Sequence, residues 1–230
     1  MLQTKHWILE HEEDIINYFQ NQILKWFELY GRQFPWRLPS CSTYELIISE
    51  VLLQRTKAEN VSRFYTDFLL TFPDWATLAN EGVSVIESYL KPLGLQRQRA
   101  NRLYSLAKWM DMNNGKLPTN RRALEEVPLM GQYIANAVEL LIYKREKPLL
   151  DVNMARVLER FFGPRKLSDI RYDPYLQSLA LKVVHHPLSK EINWAILDFA
   201  ALICKARSPK CLSCILRMDC QYYSKSLIGT

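Results

Sequence analysis

Four of the chain's five cysteines fall within 17 residues, spaced Cys204-x6-Cys211-x2-Cys214-x5-Cys220. No other feature of the 230 residues restricts the fold as tightly. Four soft thiolates so close in sequence can close around one metal centre and pin the segment that carries them. Zinc usually takes two short Cys-x2-4-Cys pairs. Here one short pair is flanked by longer arms, which suits the larger cubane [4Fe-4S] cluster. Spacing alone leaves iron–sulfur, zinc and unrelated thiols all open. Disulfides would need an oxidising compartment. The start, Met1 to His6, has no long apolar stretch, and Glu10, Glu12, Glu13 and Asp14 follow. The expectation is therefore a protein of the cytoplasm (a bacterial or archaeal nucleoid) or the nucleus, not a secreted one. No apolar run approaches the roughly 18 residues of a membrane span. Cys41 stands apart and reads as a packing residue.

Ahead of the cysteines the pattern is helical almost throughout. Ile15, Ile16, Phe19, Ile23, Trp26 and Phe27 recur at spacings of three and four over residues 12–30. Residues 43–57 are more uniformly apolar, as in a buried helix. Further helical segments follow at 59–72, 83–90, 97–113, 119–126, 131–143, 151–162, 173–185 and 189–204, with prolines at most boundaries. With 48 % hydrophobic residues and only 7 glycines, disorder and a turn-rich β barrel are both disfavoured. The expected class is all-α, with about ten helices.

Net charge is +6, and it is segregated. Residues 1–30 hold two bases and five acids, whereas residues 91–122 hold eight bases and one acid, Asp111. Residues 201–230 hold five bases and one acid, Asp219. Two local basic zones point to a polyanion such as nucleic acid. Lys205, Arg207, Lys210 and Arg217 lie in the cysteine loop, where they either meet phosphates or simply offset four thiolates.

Two acids invite chemistry. Glu50 sits in Ile47-Ile48-Ser49-Glu50-Val51-Leu52-Leu53-Gln54, so on a helix its neighbours are Leu46, Ile47, Leu53 and Gln54. Burial on such a face keeps a carboxyl protonated and able to donate. Asp151 opens an amphipathic helix, where N-cap hydrogen bonds and the helix dipole hold a carboxylate charged. One neutral and one charged carboxyl is the division of labour of glycosyl chemistry. Each also has a plain reading, a core ion pair for Glu50 and an ordinary cap for Asp151. Between them, Leu124 to Ala135 reads as helix, tight apolar turn, helix, with free N–H groups able to meet a phosphate.

These segments, in this order, resemble the helix-hairpin-helix DNA glycosylases of the endonuclease III and MutY superfamily. The likeness spans roughly residues 20–225. It includes Phe34-Pro35-Trp36-Arg37, Ser49 to Thr56, Leu93-Gly94-Leu95 followed by Arg99-Ala100, the hairpin from Val127 to Ala135, Leu150-Asp151-Val152-Asn153 with Arg156-Val157, and the four-cysteine tail. Tyr133 stands where bifunctional members carry a lysine nucleophile. Tyr133 and Ala58 match the Mig-type T·G mismatch enzymes, which share the paired acids and the Asn153 position with MutY catalytic domains.

The resemblance implies two helical lobes flanking a DNA-binding cleft. Residues 1–34 and 150–230 would form the cluster lobe, and residues 35–149 a six-helix barrel bearing the hairpin. It implies a [4Fe-4S] cluster held by Cys204, Cys211, Cys214 and Cys220. Glu50, Asp151 and Tyr133 are the expected catalytic residues. Gln54, Arg55, Gly131, Gln132, Asn153, Trp194, Arg207 and Lys210 are the expected contacts to substrate or DNA. The expected activity is monofunctional base excision by a monomer acting on double-stranded DNA, releasing thymine or uracil opposite guanine. An adenine glycosylase lacking the 8-oxoguanine reader is the alternative, and a non-catalytic damage sensor is an alternative of another class. Two departures stand out. Leu129 replaces the first glycine of the usual Pro-Gly-x-Gly hairpin, which predicts an altered turn because a non-glycine residue disfavours positive φ. Trp194 replaces a glutamine or aliphatic residue beside the expected base pocket.

Overall fold

The structure, a computed structural model, describes residues 2–228, and side chains from 12 to 225. Met1 and the side chains of residues 2–11, which bear on the leader expectation, lie outside this description. The described residues are helical with no strand: α1 (Leu2–Tyr30), α2 (Thr43–Leu53), α3 (Ala58–Thr71), α4 (Trp75–Asn80), α5 (Val83–Leu90), α6 (Gln96–Met112), α7 (Arg121–Glu125), α8 (Gln132–Leu141), α9 (Val152–Phe162), α10 (Pro174–Val184), α11 (Ser189–Leu202) and α12 (Gln221–Ile228). No helix among them is long and apolar enough to cross a membrane.

The chain divides into two compact units. One runs from Gln33 to Lys144, and the other joins the segment ending at Arg32 to the segment starting at Arg145. In the second of these, α1 buries Ile16, Phe19, Ile23 and Trp26, the three-and-four spacing seen in the sequence. Phe19 meets Phe161 of α9 at 5.1 Å between ring centres, and Trp26 meets Phe199 of α11 edge-on at 5.1 Å. Each buried side chain of this size stabilises the fold by about 1.5–3 kcal/mol. Asp198, wholly buried, accepts the Arg32 backbone N–H at 2.7 Å and its guanidinium at 2.7 Å, which fixes the end of α1 to α11. An apolar burial and a paired buried charge thus hold chain segments far apart in sequence together.

The Gln33–Lys144 unit is built around α2. A capping box at Ser42 and Glu45 starts this helix. Tyr44 and every residue from Ile47 to Leu52 are buried, which explains its lack of an amphipathic period. Several boundaries differ from expectation. The segment expected as helix over 43–57 stops at Leu53, and Arg55 adopts a positive φ of 57°. Gln54 and Arg55 therefore lie in a turn, not on the helical face of Glu50. The helix expected over 119–126 is a single turn, Arg121–Glu125. α4 and α12 are additional, and both are short enough that periodicity alone is a weak signal.

Candidate active site

Glu50 lies in the last turn of α2 and is 5 % exposed. It borders a small pocket with Leu46 and Ile47 of its own helix and Ile134, Ala137 and Val138 of α8. All of those neighbours are apolar, so on this side the carboxyl is withdrawn from water.

The hairpin lies in the same unit. Val127 to Met130 form the turn, with Met130 N–H donating to Val127 O at 3.1 Å and Gly131 N–H to Leu129 O at 2.9 Å. Leu129 takes φ 72°, a conformation that a non-glycine residue disfavours. The cost of a left-handed leucine, about 1–2 kcal/mol, is offset by packing, because Leu129 lies against the buried core of this unit. Gly131, by contrast, has φ −63° and nothing within 4 Å of where a Cβ would stand. Its lack of a side chain leaves the N-terminus of α8 uncovered, as close approach of a phosphate requires. Gln132 and Tyr133 follow in the first turn of α8, both half-buried, and the Tyr133 ring packs against the same core. Below them Arg121 of α7 donates to Asn136 at 2.6 Å and pairs with buried Glu139, both on α8. This buried network fixes the angle between the two hairpin helices.

In the other unit Asp151 is the N-cap of α9. One carboxylate oxygen accepts the backbone N–H groups of Asn153 and Met154, each at 2.8 Å. The other accepts the Asn153 side-chain amide at 2.6 Å. Asn153 in turn accepts from Arg156 at 3.1 Å, and Arg156 donates onward to the carbonyls of Cys204 at 2.9 Å and Ala200 at 3.1 Å. A continuous relay runs from the carboxylate to the backbone of the first clustered cysteine. The carboxyl was expected to be held fully charged. Burial instead pushes its pKa up, with the hydrogen bonds and Arg156 opposing that rise only in part. Upstream, wholly buried Asn193 of α11 accepts from Leu149 N–H at 2.6 Å and donates to Lys147 O at 3.2 Å, which fixes the approach to Asp151.

All four clustered cysteines line one pocket with Arg160, Lys210, Arg217 and Tyr222. None is in a disulfide. Among the described residues no three His, Cys, Asp or Glu side chains form a group able to hold a single metal ion. Burial, assisted by the other three thiols, pushes the Cys214 thiol up to about 11. Four thiols around one shared space are, by the chemistry of the donor set, of the kind that takes an iron–sulfur group. Arg160 braces the loop, donating to Cys204 Sγ at 3.4 Å and to Lys205 O at 2.7 Å, and accepting the Cys220 thiol on its own carbonyl at 3.2 Å.

Residues 48–180 match the family model described as HhH-GPD superfamily base excision DNA repair protein. This chain belongs to the HhH-GPD superfamily. Thymine-DNA glycosylase of Aeropyrum pernix is 34 % identical over 214 residues, covering 91 % of this chain and 96 % of that protein. Thymine/uracil-DNA glycosylase of Pyrobaculum aerophilum is 36 % identical over 213 residues, covering 90 % and 92 %. A solved thermostable thymine-DNA glycosylase superposes with a TM-score of 0.84 at 31 % identity, covering 92 % of this chain and 98 % of that one.

Relative to this HhH-GPD frame, the remaining expected contacts are distributed as follows. Arg55, Gly131, Arg207 and Lys210 are exposed, while Gln54, Asn153 and Trp194 are half-buried. The Lys190 ammonium lies 5.0 Å from the centre of the Trp194 ring. Of the eight bases in residues 91–122, Arg99 is buried and Arg121 is committed to ion pairs. The other six are exposed and available to a polyanion. Arg121, Glu139, Asn193 and Arg160 were not anticipated as functional supports. Each acts through partners more than 10 residues away, and only a polar residue inside an otherwise apolar run could have flagged them.

Proposed function

We propose that this protein is a monofunctional DNA glycosylase that releases thymine or uracil mispaired with guanine. The carrying observation is the similarity of the chain, over nearly its whole length, to thymine/uracil-DNA glycosylases; a buried Glu50 in one unit and an N-capping Asp151 in the other support the reading. A target nucleotide must leave the stack before its glycosidic bond can be reached. Glu50, shielded among apolar side chains, holds a proton for the leaving base. Asp151 offers negative charge to the sugar cation that develops as the C1′–N bond breaks, and then helps water to add at C1′. Tyr133 lines the base site and has no amine with which to form a Schiff base. Gly131 and Gln132 at the start of α8, with Arg55, Arg207 and Lys210, meet phosphates and so position the duplex without reading its sequence. Gln54 fills the vacated stack, Asn153 orients Asp151, and Trp194 screens the base.

Cys204, Cys211, Cys214 and Cys220 would hold a [4Fe-4S] cluster, which when bound supplies rigidity to the loop bearing Arg207 and Lys210. The purified protein should then contain about four irons per chain. Cys211→Ser should lose that iron, and Cys41→Ser should keep it, since the Cys41 thiol only donates to Pro35 O at 3.1 Å. Stoichiometric zinc without sulfide would overturn the cluster assignment.

A panel of single-mismatch duplexes, assayed with and without alkali, tests the activity. Strands should stay intact until alkali is added, with G·T and G·U processed faster than A·8-oxoguanine. Faster release of adenine would move the substrate to a purine, and efficient borohydride trapping would contradict a monofunctional reaction.

A further inference from the structure

Arg99 belongs to a basic stretch of the sequence, yet it is 7 % exposed and its guanidinium points inward. It lies in the first turn of α6 and reaches the far end of α2. There it donates to Leu52 O at 3.1 Å, to Gln54 O at 2.6 Å and to the Thr56 hydroxyl. The last carbonyls of a helix have no partner within it. At the end of α2, Thr56 N–H meets Leu53 O at 3.1 Å, and Arg99 supplies the donors for Leu52 and Gln54. A fixed cation at that end also complements the helix dipole. Between the Gln54 carbonyl and the Thr56 hydroxyl that it holds, Arg55 adopts φ 57° although it is not glycine. Such a conformation persists only where the surroundings over-determine it, and Arg99, bonded on either side of Arg55, does so here. The planar guanidinium spreads its donors over several nitrogens in a fixed fork, whereas an ammonium offers all its donors from one atom.

We propose that Arg99 is a positioning residue that fastens the Gln54–Thr56 turn, so that Gln54 is presented in one conformation to the stack left by the flipped nucleotide. The proposal rests on the glycosylase reading above and on Gln54 as the inserted side chain. Arg99 touches no reacting atom. It converts a frayed helix end into a fixed prong, so that less ordering is required when DNA binds.

The test uses the full chain with Arg99→Lys, Gln54→Ala and the double variant, with Thr56→Val as a milder lesion. Three measurements are compared. These are amide exchange at residues 53–57, fluorescence of 2-aminopurine beside the target in a G·U duplex, and single-turnover release of uracil. Arg99→Lys should speed exchange in the turn and lower both flipping and release by about tenfold, the scale of a lost charge-assisted hydrogen bond. Thr56→Val should do so by less. The double variant should be no worse than Gln54→Ala alone, because one residue acts through the other. Unchanged exchange at 53–57 in Arg99→Lys would overturn the proposal, as would losses that simply multiply. A silent Gln54→Ala beside a slow Arg99→Lys would overturn it too, showing that the turn is held for Glu50. If the wild type releases no base from any mismatch, the glycosylase reading fails, while exchange and flipping still judge Arg99.

Discussion

Glu50 and Asp151 are both withdrawn from water, but by opposite means. Glu50 is enclosed by apolar side chains of α2 and α8. Asp151 accepts three hydrogen bonds, and a relay through Asn153 and Arg156 supports it. The first arrangement is an apolar surrounding, and the second supplies hydrogen bonds that oppose the rise caused by burial. In the reaction proposed above, these surroundings assign the two acids to different halves, with no difference in side-chain chemistry to separate them.

That contrast can be broken most severely at the charge itself. Asp151→Asn should lower single-turnover base release by about 10³-fold with duplex affinity retained, since transition-state charge stabilisation is lost at little change in volume. Glu50→Gln should lower it by about 10²-fold through loss of the proton donor. Wild-type rates in both variants would reduce the two acids to a cap and a core residue.

The support of Asp151 offers a sharper test. Asn153→Ala removes a hydrogen bond that favours the ionised carboxylate, so the carboxyl rises further. Activity that needs the charge should fade at a higher pH as the solution is acidified. The acid limb of the pH–rate profile should move upward, with about a tenfold loss near its midpoint. An unmoved limb would show that Asn153 does not tune Asp151.

A smaller effect concerns stability. Because burial raises the Asp151 carboxyl, the folded protein holds that proton more tightly than the unfolded chain does. Stability from this group is complete below the ordinary aspartate range and is lost as pH rises through the folded-state value. Asp151→Asn should therefore raise the melting temperature at pH 7, and the gain should vanish in strong acid. The smallest effect is expected at the hairpin. Leu129→Gly relieves the positive φ but removes a packed side chain, so urea unfolding should place it within about 1 kcal/mol of wild type. Leu129→Val, β-branched at the same φ, should be clearly less stable.

The helical class was legible in the sequence, and the turn before α8 and the clustering of four cysteines could be marked there, because each depends on local spacing. Periodicity reports which face is buried, and ligand spacing reports what a short segment can enclose. The end of α2 was not legible. Residues 54–57 continue a plausible helical composition, yet the helix ends at Leu53, Arg55 turns to a positive φ, and Arg99 of α6 takes the carbonyls there. The φ of Leu129 was not legible for a related reason, since local preference disfavours it while packing in the folded unit supports it.

The sequence by itself determined an all-helical HhH-GPD chain with two acids, an anion-ready hairpin and a clustered set of thiols. Only the tertiary structure decided how those groups are held: Glu50 among apolar side chains, Asp151 on a relay to Cys204, and Arg99 turned inward from a basic stretch. The physical reason is that desolvation and hydrogen bonding depend on which groups meet across long sequence separations. The charge state and orientation of a side chain follow from those meetings, and residue type and spacing do not encode them.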